Sequence, residues 1–186
     1  MAIDKVTSAS ITTDAVGPTQ LNEASNYAFT GTVTGAGGVN TPAFLAYRNG
    51  HQDISNEVLT KVQYNVETYD VGGCYDHSTN YRFTPNVAGK YMIYGKCHFQ
   101  SPGGHLSYAK NYIKFNGSSY PAMAGIQTYT NTVIDDSGIL VSQVIAFNGS
   151  SDYVEMFGVG GHDQGDVRIA GDQAYYSYMG GYKIIE

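Results

Sequence analysis

Residues 66–76 read VETYDVGGCYD, and residues 81–91 follow shortly after them as YRFTPNVAGKY. Val, Thr, Tyr and Phe favour strands, whereas Gly and Pro favour turns. The pair Gly72-Gly73 and the segment from Pro85 to Gly89 interrupt the strand-forming residues. The pattern therefore predicts three β segments joined by two tight loops.

The composition of the whole chain extends this prediction. Of its 186 residues, 42% are hydrophobic and only 14% are charged, with 23 Gly, 17 Tyr and no Trp. Few charges with many glycines and tyrosines are typical of an all-β protein with many turns. The length suits one domain with an appendage.

Charge and hydropathy exclude two classes of partner. The formal charge of −6 comes from 16 acidic and 10 basic residues with no Lys/Arg run, so nucleic-acid binding is not expected. No apolar stretch reaches the roughly 20 residues that cross a bilayer, so membrane insertion is not expected either. The N-terminus lacks the apolar block of a signal peptide, and we expect synthesis in a host cytoplasm.

The composition changes near residue 40, which predicts two parts: an extended N-terminal arm or stalk over residues 1–41 and a folded head over residues 42–186. Large apolar residues in the arm are single and separated, and such a segment cannot fold alone. Either identical chains pool these side chains along an axis, or the segment is a disordered leader. The candidate anchor residues are Ile3, Val6, Ile11, Val16 and Leu21.

In the head, apolar residues alternate with period two, which indicates strands. Tyr91, Ile93, Cys97 and Phe99 share one predicted core face, so Cys97 and the only other cysteine, Cys74, are expected as free thiols in or near the core. Residues 139–147 are apolar on both faces, as in a strand covered on both sides. Asn116-Gly117-Ser118 predicts a turn, and Asn148-Gly149 predicts a hairpin. About eight or nine strands specify a β-sandwich or jelly roll.

Motifs for catalysis and cofactor binding are not found, and no catalytic or cofactor-binding residue is predicted. No two of the five histidines have a metal-ligand spacing on one element, and no nucleophile elbow occurs. Asp163, Asp166 and Asp172 flank a glycine-rich loop and are calcium candidates, although spaced acids in such loops commonly serve only solubility.

Tyrosine is the exception to this lack of signals. Tyr175, Tyr176, Tyr178 and Tyr182 place aromatic rings on both faces of the last predicted strand. A tyrosine buries a large area while its hydroxyl stays hydrogen-bonded, which suits contacts between subunits. We predict these residues, together with Tyr69 and Tyr75, at an intersubunit interface.

The head resembles the C1q/TNF-like family of jelly-roll modules over about three quarters of the chain. The resemblance implies an all-β, ten-stranded jelly roll that packs as a compact threefold homotrimer. Tyr178 stands where the family more often has Phe, and no collagen-like repeat precedes the head. The similar segments are residues 42–47, 60–65, 75–76, 83–91, 148–155 and 178–185.

Residues 14–21 and 27–36 resemble N-terminal and stalk segments of tailed-bacteriophage fibres and other virion structural proteins. Together the two resemblances imply a non-enzymatic virion protein: a trimeric fibre or spike for host attachment, whose arm binds other virion structural proteins and whose head binds a host surface glycan or protein. One alternative is a capsid decoration protein, of the cement or head-fibre kind, held by its arm. A weaker alternative is a jelly-roll carbohydrate-active enzyme.

Overall fold

Two antiparallel β-sheets pack face to face in a computed structural model, which describes residues 39–128, 133–163 and 166–185. The described residues contain thirteen strands, more than the eight or nine predicted, because five of them have only two or three residues. The strands are β1 Ala43–Tyr47, β2 Gln52–Ile54, β3 Thr60–Lys61, β4 Val66–Val71, β5 Tyr75–Asp76, β6 Arg82–Phe83, β7 Gly89–Gln100, β8 Leu106–Phe115, β9 Ser119–Gln127, β10 Asp136–Phe147, β11 Val154–His162, β12 Val167–Ile169 and β13 Tyr178–Lys183. The predicted all-β class is confirmed.

The strand order in both sheets requires crossovers between them. One sheet has seven strands in the order β2-β12-β7-β13-β1-β4, with β10 paired along the full length of β7. The other has the order β5-β6-β11-β8-β9, and β3 also pairs with β11. Strands that are neighbours in a sheet are mostly distant in sequence, which is the connectivity of a double-sheet jelly roll.

The stretch from Val66 to Tyr91 links the two sheets. It begins as β4 at an edge of the seven-stranded sheet, passes through β5 and β6 of the other sheet, and returns as β7. The crossing brings Tyr75 and Phe83 into the core, where both stack on Phe44 with ring centroids 4.8 and 4.4 Å away. Gly72 and Gly73 have φ of +114° and +62°, values that favour glycine, at the first loop.

A buried polar network joins the sheets at the centre of the core. Asn111 on β8 donates from Nδ2 to the carbonyl oxygens of Gly95 and Ile139, each at 3.0 Å. Cys97 donates to Asn111 Oδ1 over 3.2 Å, and burial raises the pKa of Cys97 to about 12. Every polar group of this network has a partner, so its burial is tolerated. Both cysteines are free and buried, as predicted.

The two Asn-Gly turns have different roles. Asn116-Gly117 joins β8 to β9, which pair in register as a hairpin, so the predicted turn is confirmed. Asn148-Gly149 joins β10 to β11, which belong to different sheets, so the predicted hairpin is wrong. Asn148 Oδ1 instead accepts the N–H groups of Ser150, Ser151 and Asp152, and this turn forms the corner between the sheets.

The strand faces follow the predicted alternation on β7, where Tyr91, Ile93, Cys97 and Phe99 are fully buried. Within a single chain, β10 differs from the prediction that both of its faces are covered. Its odd-numbered apolar residues point into the core, but Leu140 and Val144 on the other side are 54% and 45% exposed. The expectation that both faces are covered is therefore wrong for the isolated chain.

Several predictions lie outside the described residues. These are the anchor candidates Ile3, Val6, Ile11, Val16 and Leu21. The boundary between arm and head at residue 41 also stays a prediction. Among the described residues, no helix is long and apolar enough to cross a membrane.

Candidate functional site

The seven-stranded sheet carries an apolar surface on the side that points away from the core, and we call this surface the outer face. Cross-strand register aligns its side chains, and residues that lie opposite each other across strands share one side of the sheet. Three such rows of side chains make up the outer face, and Lys96 is the only charged residue in them. The rows are Leu140, Lys96, Tyr178 and Tyr47; Ser142, Tyr94, Gly180, Leu45 and Tyr69; and Val144, Met92, Tyr182, Ala43 and Val71.

A groove of about 450 Å³ runs along the outer face and is lined by Leu45, Tyr47, Tyr94, Tyr175 and Tyr178. The ring of Tyr94 meets the ring of Tyr178 edge-on at 6.4 Å. Tyr94 also lies over Gly180, where an added Cβ would come within 2.5 Å of the Tyr94 hydroxyl. Burial, reinforced by neighbouring tyrosines, raises the pKa of Tyr94, so its hydroxyl stays neutral near pH 7.

The outward side of the six-stranded sheet has a different character. Lys114 Nζ lies 4.5 Å from the ring centre of Phe157 and 5.4 Å from that of Tyr120. Lys61 Nζ lies 2.5 Å from Glu155 Oε1. The ammonium group of Lys114 thus lies over aromatic rings on this side, a cation–π arrangement that keeps a charge at the surface. Among the described residues, no Lys or Arg charge lies over an aromatic ring of the outer face.

β10 also forms an edge of the seven-stranded sheet beside the outer face. In the described part of the chain it pairs only with β7, which leaves the backbone groups along its other side without a strand partner. The strand is twelve residues long, contains no proline and has Asp136 as its only charged residue. Native proteins usually protect such edges with charges, bulges or a covering segment.

Four of the six predicted interface tyrosines lie at the outer face. Tyr69, Tyr178 and Tyr182 belong to its rows, and Tyr175 lines the groove with 63% of its surface exposed. Tyr176 lies at the end of the face, where its ring packs on His98 at 4.5 Å. The interface role itself stays a prediction for these residues.

Tyr75 requires a correction. It is only 6% exposed, because β5 crosses to the other sheet and its ring stacks on Phe44 within the core. Its hydroxyl donates to the Tyr64 carbonyl oxygen at 3.1 Å, so neither ring nor hydroxyl faces outward. Among the outer-face residues that the sequence did not single out are Leu45, Met92, Tyr94, Leu140 and Val144. The two-sided apolar pattern of residues 139–147 is the signal that could have identified the last two.

The three calcium candidates do not converge. Asp163 Oδ1 accepts the backbone N–H of His105 at 2.7 Å, and Asp172 Oδ2 lies 3.0 Å from His51 Nε2. Asp166 lies beside Asp53 in a separate recess. No group of three or more His, Cys, Asp or Glu side chains within the described ranges is arranged to hold a metal ion.

The two antiparallel sheets packed face to face define the class to which this chain belongs, a β-sandwich module. Comparison with solved structures identifies the particular type as the TNF/C1q-like jelly roll, which confirms the predicted fold. No protein-family model matches the sequence, and no curated protein matches it either.

Three solved structures illustrate the similarity. Eiger TNF from S. frugiperda has a TM-score of 0.59 at 11% identity, covering 78% of this chain and 94% of that one. The globular domain of zebrafish complement 1qA protein has 0.54 at 14%, covering 77% and 98%. Murine APRIL has 0.55 at 9%, covering 76% and 98%. At these identities the similarity shows the fold alone.

Proposed function

We propose that this protein is a non-enzymatic structural protein of a bacteriophage virion, a homotrimeric fibre or spike whose head binds a host surface glycan or protein. The observation that carries the proposal is the uncovered apolar outer face on a TNF/C1q-like jelly roll. Residues 1–41 attach the head to other virion structural proteins in this account.

The size of the outer face supports its role as a contact between subunits. Five strands spaced about 4.8 Å apart and six residues of about 3.3 Å each give a projected area on the order of 500 Å². An apolar patch of this size is at the upper end of what monomers expose and often marks an interaction site. A second copy of the chain is its proposed occupant.

The β10 edge supports the same arrangement. A partner subunit packed beside β10 would remove both the open edge and the exposed Leu140 and Val144 from solvent. The resemblance to C1q/TNF-like modules implies three subunits, because modules of that family pack around a threefold axis. A closed trimer buries the same patch on every copy.

A trimer on a stalk also explains how the proposed non-enzymatic head would serve in attachment. Three identical surfaces held on one axis bind a repetitive host surface with summed affinity, even when each contact is weak. The resemblance of residues 14–21 and 27–36 to phage stalk segments supports the virion as the location.

Locating the chain in purified particles tests this proposal. Cryo-electron microscopy of virions of the phage that encodes the chain, with antibody fragments raised against residues 42–186, is expected to label a fibre or spike. Labelling on capsid lattice axes would contradict the attachment role and favour a decoration protein. Recovery of the chain only in the particle-free lysate would contradict the virion assignment altogether.

A further inference from the structure

A polar cavity of about 440 Å³ opens at one end of the sandwich, apart from the groove of the outer face. It lies between the loop after β7, the residues that precede and begin β10, and β12. Its polar side chains come from Gln100, Ser101, His105, Asp135, Asp136 and Arg168.

The first group of side chains is held by a continuous chain of contacts. Arg168 Nε donates to Gln100 Oε1 at 3.1 Å, and Gln100 Nε2 donates to Asp136 Oδ2 at 3.2 Å. Asp136 Oδ1 lies 2.7 Å from His98 Nε2. Each side chain fixes the orientation of the next, so the polar groups are ordered before any ligand arrives. Such preorganisation lowers the entropic cost of binding.

The second group is the pair of His105 and Asp135, whose Nδ1 and Oδ1 atoms lie 2.5 Å apart. The hydrogen bond to Asp135 raises the pKa of His105, so the imidazolium balances the carboxylate at mildly acidic pH. The Asp135 and Asp136 side chains remain 63% and 52% exposed, which leaves acceptor positions on both carboxylates open to the cavity. The cavity therefore offers ordered donors and acceptors with opposing charges close together.

Ser101 gives an independent indication of a ligand. It is only 3% exposed and lines the cavity, yet its hydroxyl has no hydrogen-bond partner among the described residues. Buried hydroxyls in native proteins nearly always have a partner. A hydroxyl of a ligand, or a water molecule that the ligand displaces, would supply the partner that the described protein atoms do not.

The position of the cavity also favours a binding role. β1 begins with Ala43 opposite Tyr182, and Lys183 lies opposite Tyr91, so these residues mark one end of the sandwich. β7 runs from that end to Gln100 at the cavity, roughly 35 Å for its length at about 3.3 Å per residue. The cavity therefore lies at the end opposite the entry of the described chain into β1.

We propose that this cavity binds one neutral sugar unit of a host surface glycan. Hydroxyl groups of a sugar both donate and accept, which matches carboxylates, an amide and a guanidinium placed side by side. Exposed acceptors on two carboxylates disfavour an anionic ligand, while Arg168 and His105 disfavour a cationic one. The proposal rests on the attachment function proposed above, which gives a distal saccharide site its purpose.

Saturation-transfer NMR on the full chain tests the proposal with four probes: the methyl glycosides of glucose, galactose and rhamnose, and N-acetylglucosamine. We expect transfer from at least one probe, with a dissociation constant on the order of 1 mM, as ligands of this size allow. Asp135→Ala should weaken that binding at least tenfold. Asp172→Ala is the matched control, because Asp172 also pairs with a histidine but lies outside the cavity.

Absence of transfer from all four probes at about 20 mM would overturn the proposal, as would equal binding by the wild type and Asp135→Ala. Binding of a trilysine peptide in place of the sugars would also overturn it and indicate a cationic ligand. Arg168→Met, which keeps the apolar stem, gives a second variant if Asp135→Ala fails to fold. Native mass spectrometry on the same samples separates the sugar-binding proposal from the trimer proposal. A trimer that binds no sugar contradicts only the sugar-binding proposal, and a monomer that binds sugar contradicts the trimer proposal.

Discussion

Asp76 organises the loop that follows β5. Its Oδ1 accepts the N–H groups of Thr79 and Ser78 at 2.9 and 3.0 Å, and its Oδ2 accepts Asn80 Nδ2 at 2.7 Å. Hydrogen bonds from Thr79 first, then from Ser78 and Asn80, hold the pKa of this carboxyl well below its usual range. One side chain thus fixes the chain between β5 and β6.

Asp76→Ala should lower the free energy of unfolding by about 1–2 kcal/mol at pH 7, because several loop N–H groups lose a charged acceptor that solvent partly screens. A lowered pKa in the folded state stabilises the protein above the unfolded pKa near 4, and this contribution is lost progressively as the pH falls from there through the lower pKa of the folded state. Urea unfolding at pH 7 and pH 3 should show the difference from wild type shrinking at pH 3.

Asp53→Ala provides the control, since the exposed Asp53 side chain makes no hydrogen bond to a described residue. It should change stability by less than about 0.5 kcal/mol. An Asp76→Ala variant as stable as Asp53→Ala at pH 7 would contradict the role assigned to the loop carboxylate.

Residue-level predictions from the sequence were reliable for the core face of β7, where apolar residues alternate, and unreliable for the partners of a residue. Alternation placed Cys97 on a core face correctly. It could not show that Asn111 bridges two strands of the opposite sheet, because that contact joins residues 16 and 28 positions apart. The position of Tyr75 was predicted wrongly for a similar reason. The properties of tyrosine suggest a contact between subunits, but only the crossing of β5 to the other sheet shows that this tyrosine becomes a core residue.

Gly149 illustrates how a turn couples two elements. Its φ is +72°, and an added Cβ would lie 2.2 Å from the backbone nitrogen of Ala88. Gly117 has a similar φ of +69°, but there an added Cβ would meet the Tyr153 hydroxyl at 2.8 Å. A hydroxyl at the end of a side chain can move aside, whereas backbone cannot.

Gly149→Ala should therefore cost about 3 kcal/mol or more, against about 1 kcal/mol for Gly117→Ala, whose strain comes mainly from φ. Urea unfolding at one protein concentration checks the difference, since subunit association would make stability depend on concentration. Equal losses in the two variants would show that the corner at Gly149 does not pack on the loop before β7 as described.

β10 is the element that the assembly account depends on most. Val144→Lys places a charge on the outer face between Met92 and the open edge. At about 3 kcal/mol for each unpaired buried charge, three copies around one axis should dissociate the assembly into folded monomers. Analytical ultracentrifugation measures the dissociation, and circular dichroism confirms that the sheets persist.

Val87→Lys is the matched control, because Val87 has similar exposure but lies in the loop before β7. It should leave the mass of the assembly unchanged. If Val144→Lys associates as strongly as Val87→Lys, the outer face is not the contact between subunits.

Element-level prediction depended on whether the deciding signal was local. Asn-Gly with flanking apolar residues identified two turns, but the same motif serves a hairpin at residue 116 and a corner between sheets at residue 148. Pairing partners tens of residues away decide between them. Residues 139–147 do carry apolar side chains on both sides of the strand. A second subunit, rather than this chain, is proposed to cover the side that faces away from the core.

For the whole molecule, the fold was predictable because about eight or nine strands specify a β-sandwich or jelly roll and because the head, including the stretch from Val66 to Tyr91, resembles C1q/TNF-like modules. The double crossing between the sheets was not predicted, since it depends on pairing partners far apart in sequence. The outer face was predicted only through its tyrosines, since its remaining members become neighbours through β10, β13 and β1, which are far apart in sequence. The cavity at the far end was not predicted, because three separate segments contribute to it.

Native mass spectrometry of the purified full-length chain at micromolar concentration tests the central claim most directly. A homotrimer closed over the outer face predicts one dominant species with three times the 20.1 kDa mass of the chain. A dominant species of 20.1 kDa under the same conditions would contradict the assembly, and with it the proposed role of the outer face.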